Sequence, residues 1–97
     1  MAAKYDVKWT SEAKHNIDGI LSFIREHWSE KECEDFLDFV QHFEKTISYF
    51  PKSFKQSVVF KGCRLGLIHK HITAIYSIKG KSVIVLTVID NRSKKEK

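Results

Sequence analysis

The feature that most constrains this chain is a change of hydrophobic period at its only proline, Pro51. Before that residue, apolar side chains recur at spacings of three and four, which is typical of helices with one buried face. After it, apolar and β-branched residues come in short runs, which indicate strands. The sequence therefore predicts a helical part followed by a strand part.

The N-terminal residues predict a short strand and then a helix. Apolar and charged side chains alternate over residues 5–9, which indicates a half-buried strand. Thr10 or Ser11 offers an N-cap for the helix that follows. The spacing predicts this helix over about residues 11–28, with an apolar face made of Ala13, Ile17, Ile20, Leu21, Ile24 and Trp28.

A second helix is predicted to begin almost directly after the first. Residues 29–32 read Ser-Glu-Lys-Glu, which is a capping box. The helix should run up to Pro51, and the short link should make the two helices an antiparallel hairpin. Its apolar face consists of Cys33, Phe36, Leu37, Val40, Phe43, Ile47 and Phe50.

The part after Pro51 predicts three or four strands. Residues 58–60 form a short strand candidate, and strands are expected over 63–68 and 72–78. Gly80 lies in a tight turn and is free to adopt a positive φ. Residues 82–89 are almost continuously apolar, which predicts a central strand buried on both faces.

These elements predict one α+β domain over residues 1–97, with an ordered core of about 4–93. The expected order is β-α-α-β-β-β(-β). The N-terminal helical hairpin should pack on an antiparallel sheet, because neither layer can bury its apolar face alone.

Charge is distributed unevenly along the chain, whose net charge is +5 and whose pI is about 9.3. Residues 1–50 hold six Lys/Arg and ten Asp/Glu, whereas residues 51–97 hold eleven Lys/Arg and two Asp/Glu. The asymmetry indicates either a basic face for an anionic partner or a surface that keeps the protein soluble. The candidate basic set is Lys61, Arg64, Lys70, Lys79, Lys81, Arg92, Lys94 and Lys95.

Two side chains of the strand part have alternative interpretations. Arg64 is suited to bidentate contacts with phosphate or carboxylate groups, or it pairs on the surface with a helix carboxylate. Tyr76 is expected to pack in the sheet with its hydroxyl at the rim.

Other classes of protein are not supported by the sequence. The N-terminus lacks a signal-peptide apolar region, and no stretch reaches the length of a membrane span. Cys33 and Cys63 have no metal-ligand spacing, so free thiols in a cytoplasmic protein are expected, with a disulfide as the alternative. His69 and His71 are predicted to lie in a solvated turn rather than at a metal. We expect no metal and no cofactor.

Several short motifs coincide in order and spacing with those of a known family. Over about residues 4–93 the chain resembles the RelE/ParE superfamily of bacterial type II toxins, and within it the ParE branch. The motifs are residues 9–13 leading into the first helix, 28–31 at the corner between helices, Phe50-Pro51, 62–64 at the start of a strand, 74–78, and 88–92.

The resemblance implies a cytoplasmic growth-inhibiting toxin of a toxin–antitoxin, plasmid-stabilisation system. In such systems an acidic segment of a cognate antitoxin wraps around the toxin, which gives a hetero-oligomer. ParE-type members poison DNA gyrase, whereas RelE-type members cut mRNA on the ribosome. No membrane role is implied.

The resemblance also assigns candidate residues. Arg64 and Arg92 match positions where nuclease members carry basic side chains, and His71 is a third candidate for catalysis. Gly66 and Thr73 stand where further basic residues are expected, which predicts a toxin that acts by binding rather than cleavage, or one without activity. A non-toxic nucleic-acid-binding or scaffold domain is the remaining alternative. The predicted target-binding residues are Lys61, Arg64, Lys70, Arg92, Lys94 and Lys95.

Overall fold

The computed structural model describes residues 4–91 of the chain. Two helices and four strands make up this part, and the helices precede three of the strands, as the sequence predicts. The elements are β1 (Asp6–Trp9), α1 (Ser11–His27), α2 (Glu30–Tyr49), β2 (Arg64–His69), β3 (Ile72–Lys79) and β4 (Ser82–Asp90).

Both helices begin at the hydroxyl side chains that the sequence marks as caps. The Thr10 hydroxyl accepts a hydrogen bond from the Ala13 amide at 3.0 Å, and the Ser29 hydroxyl accepts one from the Glu32 amide at 3.3 Å. Each bond satisfies a backbone donor that the first helical turn leaves without a partner. Only two residues separate α1 from α2, so the two helices form the predicted hairpin.

The four strands form one sheet in the order β1-β4-β3-β2. Strands β2, β3 and β4 are antiparallel to their neighbours, whereas β1 lies parallel to β4. The predicted α+β class is confirmed, and the sheet is mixed rather than purely antiparallel. No hairpin turn fixes the direction of β1, because both helices and two strands separate it from β4 in sequence.

Strand β4 occupies the centre of the sheet, as its apolar run predicts. It pairs with β1 on one side and β3 on the other, and Val83 and Val85 are fully buried. The turn before it contains Gly80, which adopts a φ of 59°. This conformation is accessible to glycine without steric cost, which explains a tight β3–β4 turn at this position.

The core lies between the helical hairpin and one face of the sheet. Because each helix buries a single stripe, the two layers enclose one continuous apolar cluster. The buried members of this cluster are Ala13, Ile20, Phe36, Phe43, Ile47, Ile68, Ile72, Ala74, Tyr76, Val83, Val85 and Val88.

The strand predicted over residues 58–60 is wrong. The Ser57 hydroxyl accepts hydrogen bonds from the Val59 amide at 3.1 Å and from the Phe60 amide at 2.8 Å. These bonds close a tight turn and use amides that a strand would need for its ladder. The regular strand also begins at Arg64 rather than at Cys63.

Candidate interaction surface

Arg64 stands at the start of β2, opposite Tyr76 on β3. Its guanidinium donates hydrogen bonds to the Phe54 carbonyl at 2.7 Å and to the Lys52 carbonyl at 3.4 Å. No carboxylate within residues 4–91 forms an ion pair with it. Arg64 therefore fixes the loop between α2 and β2, and the expected pairing with a helix carboxylate is absent from this part of the chain.

Tyr76, on β3, also fixes the loop between α2 and β2. The side chain is fully buried instead of reaching the rim, and its hydroxyl donates a hydrogen bond to the Pro51 carbonyl at 2.6 Å. Burial raises the pKa of Tyr76 to about 12, although the nearby Arg64 charge acts in the opposite direction. The loop that follows α2 is thus anchored by one side chain from β2 and one from β3.

Gly66 faces the helical layer rather than open solvent. A Cβ atom at this position would collide with the Phe43 ring and would lie 2.8 Å from Phe43 Cζ and 3.1 Å from Tyr76 Cε1. The position where the resemblance leads one to expect a basic side chain therefore has room for glycine only. The other such position, Thr73, uses its hydroxyl to accept a hydrogen bond from Asn91 at 3.1 Å.

The loop before β2 presents three apolar side chains to solvent, and we call residues 58–60 the apolar tip. Val58 is 99% exposed, Val59 is 77% exposed and Phe60 is 46% exposed. Sequence reasoning missed this feature because a β-branched run usually indicates a strand. The available signals were Ser57 before the run and Gly62 after it, since both residues favour turns.

The two histidines predicted to lie in a solvated turn differ in setting: His69 is the half-buried last residue of β2, and His71 lies in the exposed turn between β2 and β3. The ring of His69 stacks on Phe39 with the ring centroids 4.2 Å apart, whereas Lys70 and His71 are exposed. This turn lies at the opposite end of β2 from Arg64, about 16 Å away at the usual rise of a strand. The structure therefore does not bring Arg64 and His71 together. Within residues 4–91 no group of His, Cys, Asp and Glu is arranged to hold a metal ion.

A second surface that the sequence did not reveal lies at the corner of the helical hairpin. Trp28 is 63% exposed, although its spacing predicted an inward-facing residue. It lines two adjoining pockets of about 230 Å³ and about 810 Å³, which also share Ile20. The exposed ring of Phe39 lines the smaller pocket, and the exposed ring of Phe23 lines the larger one.

Within residues 4–91, no Lys or Arg after Pro51 forms an ion pair with a carboxylate. No Asp or Glu occurs between Glu44 and Asp90. The ion pairs found in residues 4–91 all lie on β1 and the helices. The cations that the structure describes in this part lie in the loop before β2, at the first residue of β2, at the last residue of β3 and in the two turns: Lys52, Lys55, Lys61, Arg64, Lys70, Lys79 and Lys81.

Two of the predicted target-binding lysines are exposed, Lys61 before β2 and Lys70 in the β2–β3 turn. Three others, Arg92, Lys94 and Lys95, lie outside the described residues. Cys33 is buried and Cys63 is half-buried, and both have free thiols. Neither helix is apolar over a length that would cross a lipid bilayer.

No family model matches the sequence, and no curated protein matches it. Solved structures do resemble the fold. A chain of the chromosomal ParDE toxin–antitoxin system from P. aeruginosa superposes with a TM-score of 0.79 at 15% identity, covering 92% of this chain and 98% of that one.

Two further solved structures have the same fold. A chain of the RelBE2 toxin–antitoxin complex from Mycobacterium tuberculosis gives a TM-score of 0.63 at 15% identity, covering 91% of this chain and 92% of that one. YafQ from E. coli gives a TM-score of 0.55 at 11% identity, covering 93% of this chain and 97% of that one. At such identities the likeness establishes the fold. The architecture predicted from the sequence motifs is therefore confirmed: this chain has the fold of the RelE/ParE toxins.

Proposed function

We propose that this protein is the toxin of a type II toxin–antitoxin system. It acts in the bacterial cytoplasm by binding a macromolecular target such as DNA gyrase, and a cognate antitoxin neutralises it in a hetero-oligomer. The observation that carries the proposal is the fold shared with chains of ParDE and RelBE2 toxin–antitoxin complexes. The unneutralised cations of the strand part supply a surface for an acidic partner.

The contacts and positions of the described side chains favour target binding over RNA cleavage. Cleavage of RNA needs a base for the 2′-hydroxyl and cations for the charge that develops on phosphate. The Arg64 guanidinium is engaged with two loop carbonyls, and Gly66 has no space for a cation. His71 lies at the far end of β2 from Arg64. The described residues therefore lack a cluster of the kind that a nuclease uses.

The second candidate function is a ribosome-dependent mRNA endonuclease. The likeness to RelBE2 and YafQ favours it, and its candidate residues are Arg64, Arg92 and His71. A non-toxic nucleic-acid-binding or scaffold domain is the third candidate, since the cationic surface alone is compatible with it.

Two assays with the purified protein separate the first two candidates. We expect inhibition of DNA supercoiling by gyrase and no cleavage of mRNA on programmed ribosomes. Ribosome-dependent cleavage without an effect on gyrase would instead support the endonuclease. If both assays are negative and expression leaves growth normal, the non-toxic domain is the better description.

Substitution of Arg64 should lower toxicity without unfolding the protein. Arg64→Ala removes the hydrogen bonds to the Lys52 and Phe54 carbonyls, at a cost of about 1 kcal/mol in the free energy of unfolding because the site is partly exposed. The loop then loses its anchor and the surface loses a charge. Growth of cells expressing the variant at the wild-type level is the measurement.

A matched variant separates charge from geometry at this position. Arg64→Lys keeps the charge but lacks the planar guanidinium whose Nη1 donates to both carbonyls, so it should recover only part of the toxicity. Growth arrest by Arg64→Ala equal to that of the wild type would remove Arg64 from the functional surface.

A further inference from the structure

We infer that the apolar tip, residues 58–60, is the surface by which this protein binds its target. We also infer that the target is a protein with an apolar cleft bordered by carboxylates. The inference rests on the proposed function for the existence of a target. It goes further in assigning the surface that binds and the chemistry of the cleft that receives it.

The tip is held in one conformation by hydrogen bonds on both of its sides. The Ser57 hydroxyl accepts from the amides of Val59 and Phe60. The Ser57 amide donates to the Cys63 carbonyl at 2.8 Å, and the Cys63 amide donates to the Phe60 carbonyl at 3.0 Å. Gly62 closes the loop with a φ of 79°. A turn fixed in this way loses little conformational entropy when it binds, which favours affinity.

The fold itself makes little use of these side chains. Val58 is almost completely exposed, and neither valine belongs to the apolar cluster under the helices. Phe54, only four residues earlier, packs against Phe43 and Tyr76 instead. Three neighbouring apolar side chains that a fold exposes on a rigid turn are typical of an interaction site.

The charges around the tip indicate what it contacts. Lys55 precedes the turn and Lys61 follows the tip directly, and both side chains are exposed. Within residues 4–91, no carboxylate forms an ion pair with either lysine. A complementary surface therefore combines an apolar cleft for the tip with carboxylates at its border.

A protein fits this combination better than other partners. Contacts to nucleic-acid bases use aromatic rings for stacking, whereas two of the three side chains at the tip are aliphatic. Anchoring in a lipid surface usually uses a larger apolar face than one turn offers. A twofold contact between the tips of two copies of this chain would place cations opposite cations.

The test uses the double variant Val58→Ser/Val59→Ser and, as a matched control, Leu37→Ser. Leu37 is also an exposed apolar residue, 39% exposed on α2, and it lies far from the tip in sequence. We expect the double variant to need about tenfold more protein for growth arrest, as for loss of an interface hot spot. Leu37→Ser should arrest growth like the wild type. The double variant should unfold at the wild-type temperature because Val58 and Val59 are largely exposed. Leu37→Ser should lower the free energy of unfolding by about 1 kcal/mol, because Leu37 is more than half covered and lies inside α2.

Growth of cells that express the wild type distinguishes failure of the proposed function from failure of the assignment of the apolar tip. If the wild type does not arrest growth, the proposed function fails. If the wild type and the double variant arrest growth equally, the tip is not the anchor and the inference fails alone.

Three direct probes decide the class of the bound molecule. Wild type and double variant should bind a 20-nucleotide RNA and a DNA duplex with equal affinity, should not sediment with vesicles containing anionic phospholipid, and should have the same mass in solution. Nucleic-acid affinity, vesicle binding or self-association that the double variant loses would overturn the assignment of a protein target.

Discussion

Replacing Gly66 with valine is expected to lower the free energy of unfolding by about 3 kcal/mol, which is the upper end of the usual cost of over-packing a core. The reason is geometric, because the Phe43 ring occupies the space that a Cβ atom would take. Phe43 is only 2% exposed, so its ring has no free volume to move into. Thermal unfolding measures the effect, and a loss of this size lowers the Tm of a domain of this length by more than about 10 °C.

Gly19 provides the control for this substitution. It lies in α1, and no atom outside its chain neighbours and the surrounding helix backbone comes within 4 Å of a Cβ built there. Gly19→Ala should therefore raise the free energy of unfolding, by up to about 1 kcal/mol, because alanine is the better helix former. If Gly66→Val unfolds at the temperature of the wild type, the Phe43 ring does not pack over this strand.

Replacing Tyr76 with alanine is expected to lower the free energy of unfolding by about 3–5 kcal/mol, the usual cost of removing a large buried aromatic side chain. The ring is fully buried between Phe43 and Phe54, and its hydroxyl binds the Pro51 carbonyl. Tyr76→Phe removes the hydroxyl alone and should cost about 1–2 kcal/mol, because the buried carbonyl is left without its donor. Denaturant unfolding of the two variants separates the ring from the hydroxyl. Equal losses would show that the hydroxyl alone stabilises the fold.

Because the pKa of Tyr76 is raised, the stability difference between the wild type and Tyr76→Phe should depend on pH. A group whose pKa is higher in the folded than in the unfolded protein stabilises the fold below its unfolded pKa, and this stability is lost as the pH rises towards the folded value. For Tyr76 the window runs from the ordinary tyrosine pKa of 10.0 to about 12. The stability difference between wild type and Tyr76→Phe should therefore shrink over this range, and a constant difference would contradict the burial of the hydroxyl.

The helical half of the fold is largely predictable from the sequence. Thr10 and Ser29 mark the helix starts by local hydrogen bonds to amides three residues on, and such local rules do not depend on the rest of the fold. The central position of β4 follows from its apolar run. The predicted burial on both faces is not found, because Val83, Val85 and Val88 are buried under the helices whereas the side chains that alternate with them are only partly covered. The parallel pairing of β1 with β4 is a long-range contact that no local rule contains.

From the sequence, only the amino-acid composition of the candidate surface could be predicted, not the contacts that its residues make. The excess of cations after Pro51 is visible in the sequence, but their partners are not. Arg64 binds the carbonyls of Lys52 and Phe54, contacts that depend on the path of an irregular loop. The apolar tip has the composition of a strand, but hydrogen bonds to the Ser57 hydroxyl and between loop backbone groups hold it in a turn.

The central claim is that this protein is a toxin neutralised by a partner, and controlled expression in bacteria tests it most directly. The growth of cells is measured when the protein is induced alone and when it is induced together with the product of the neighbouring reading frame. We predict growth arrest in the first case and normal growth in the second. Normal growth of cells that contain the folded protein without any partner would contradict the account.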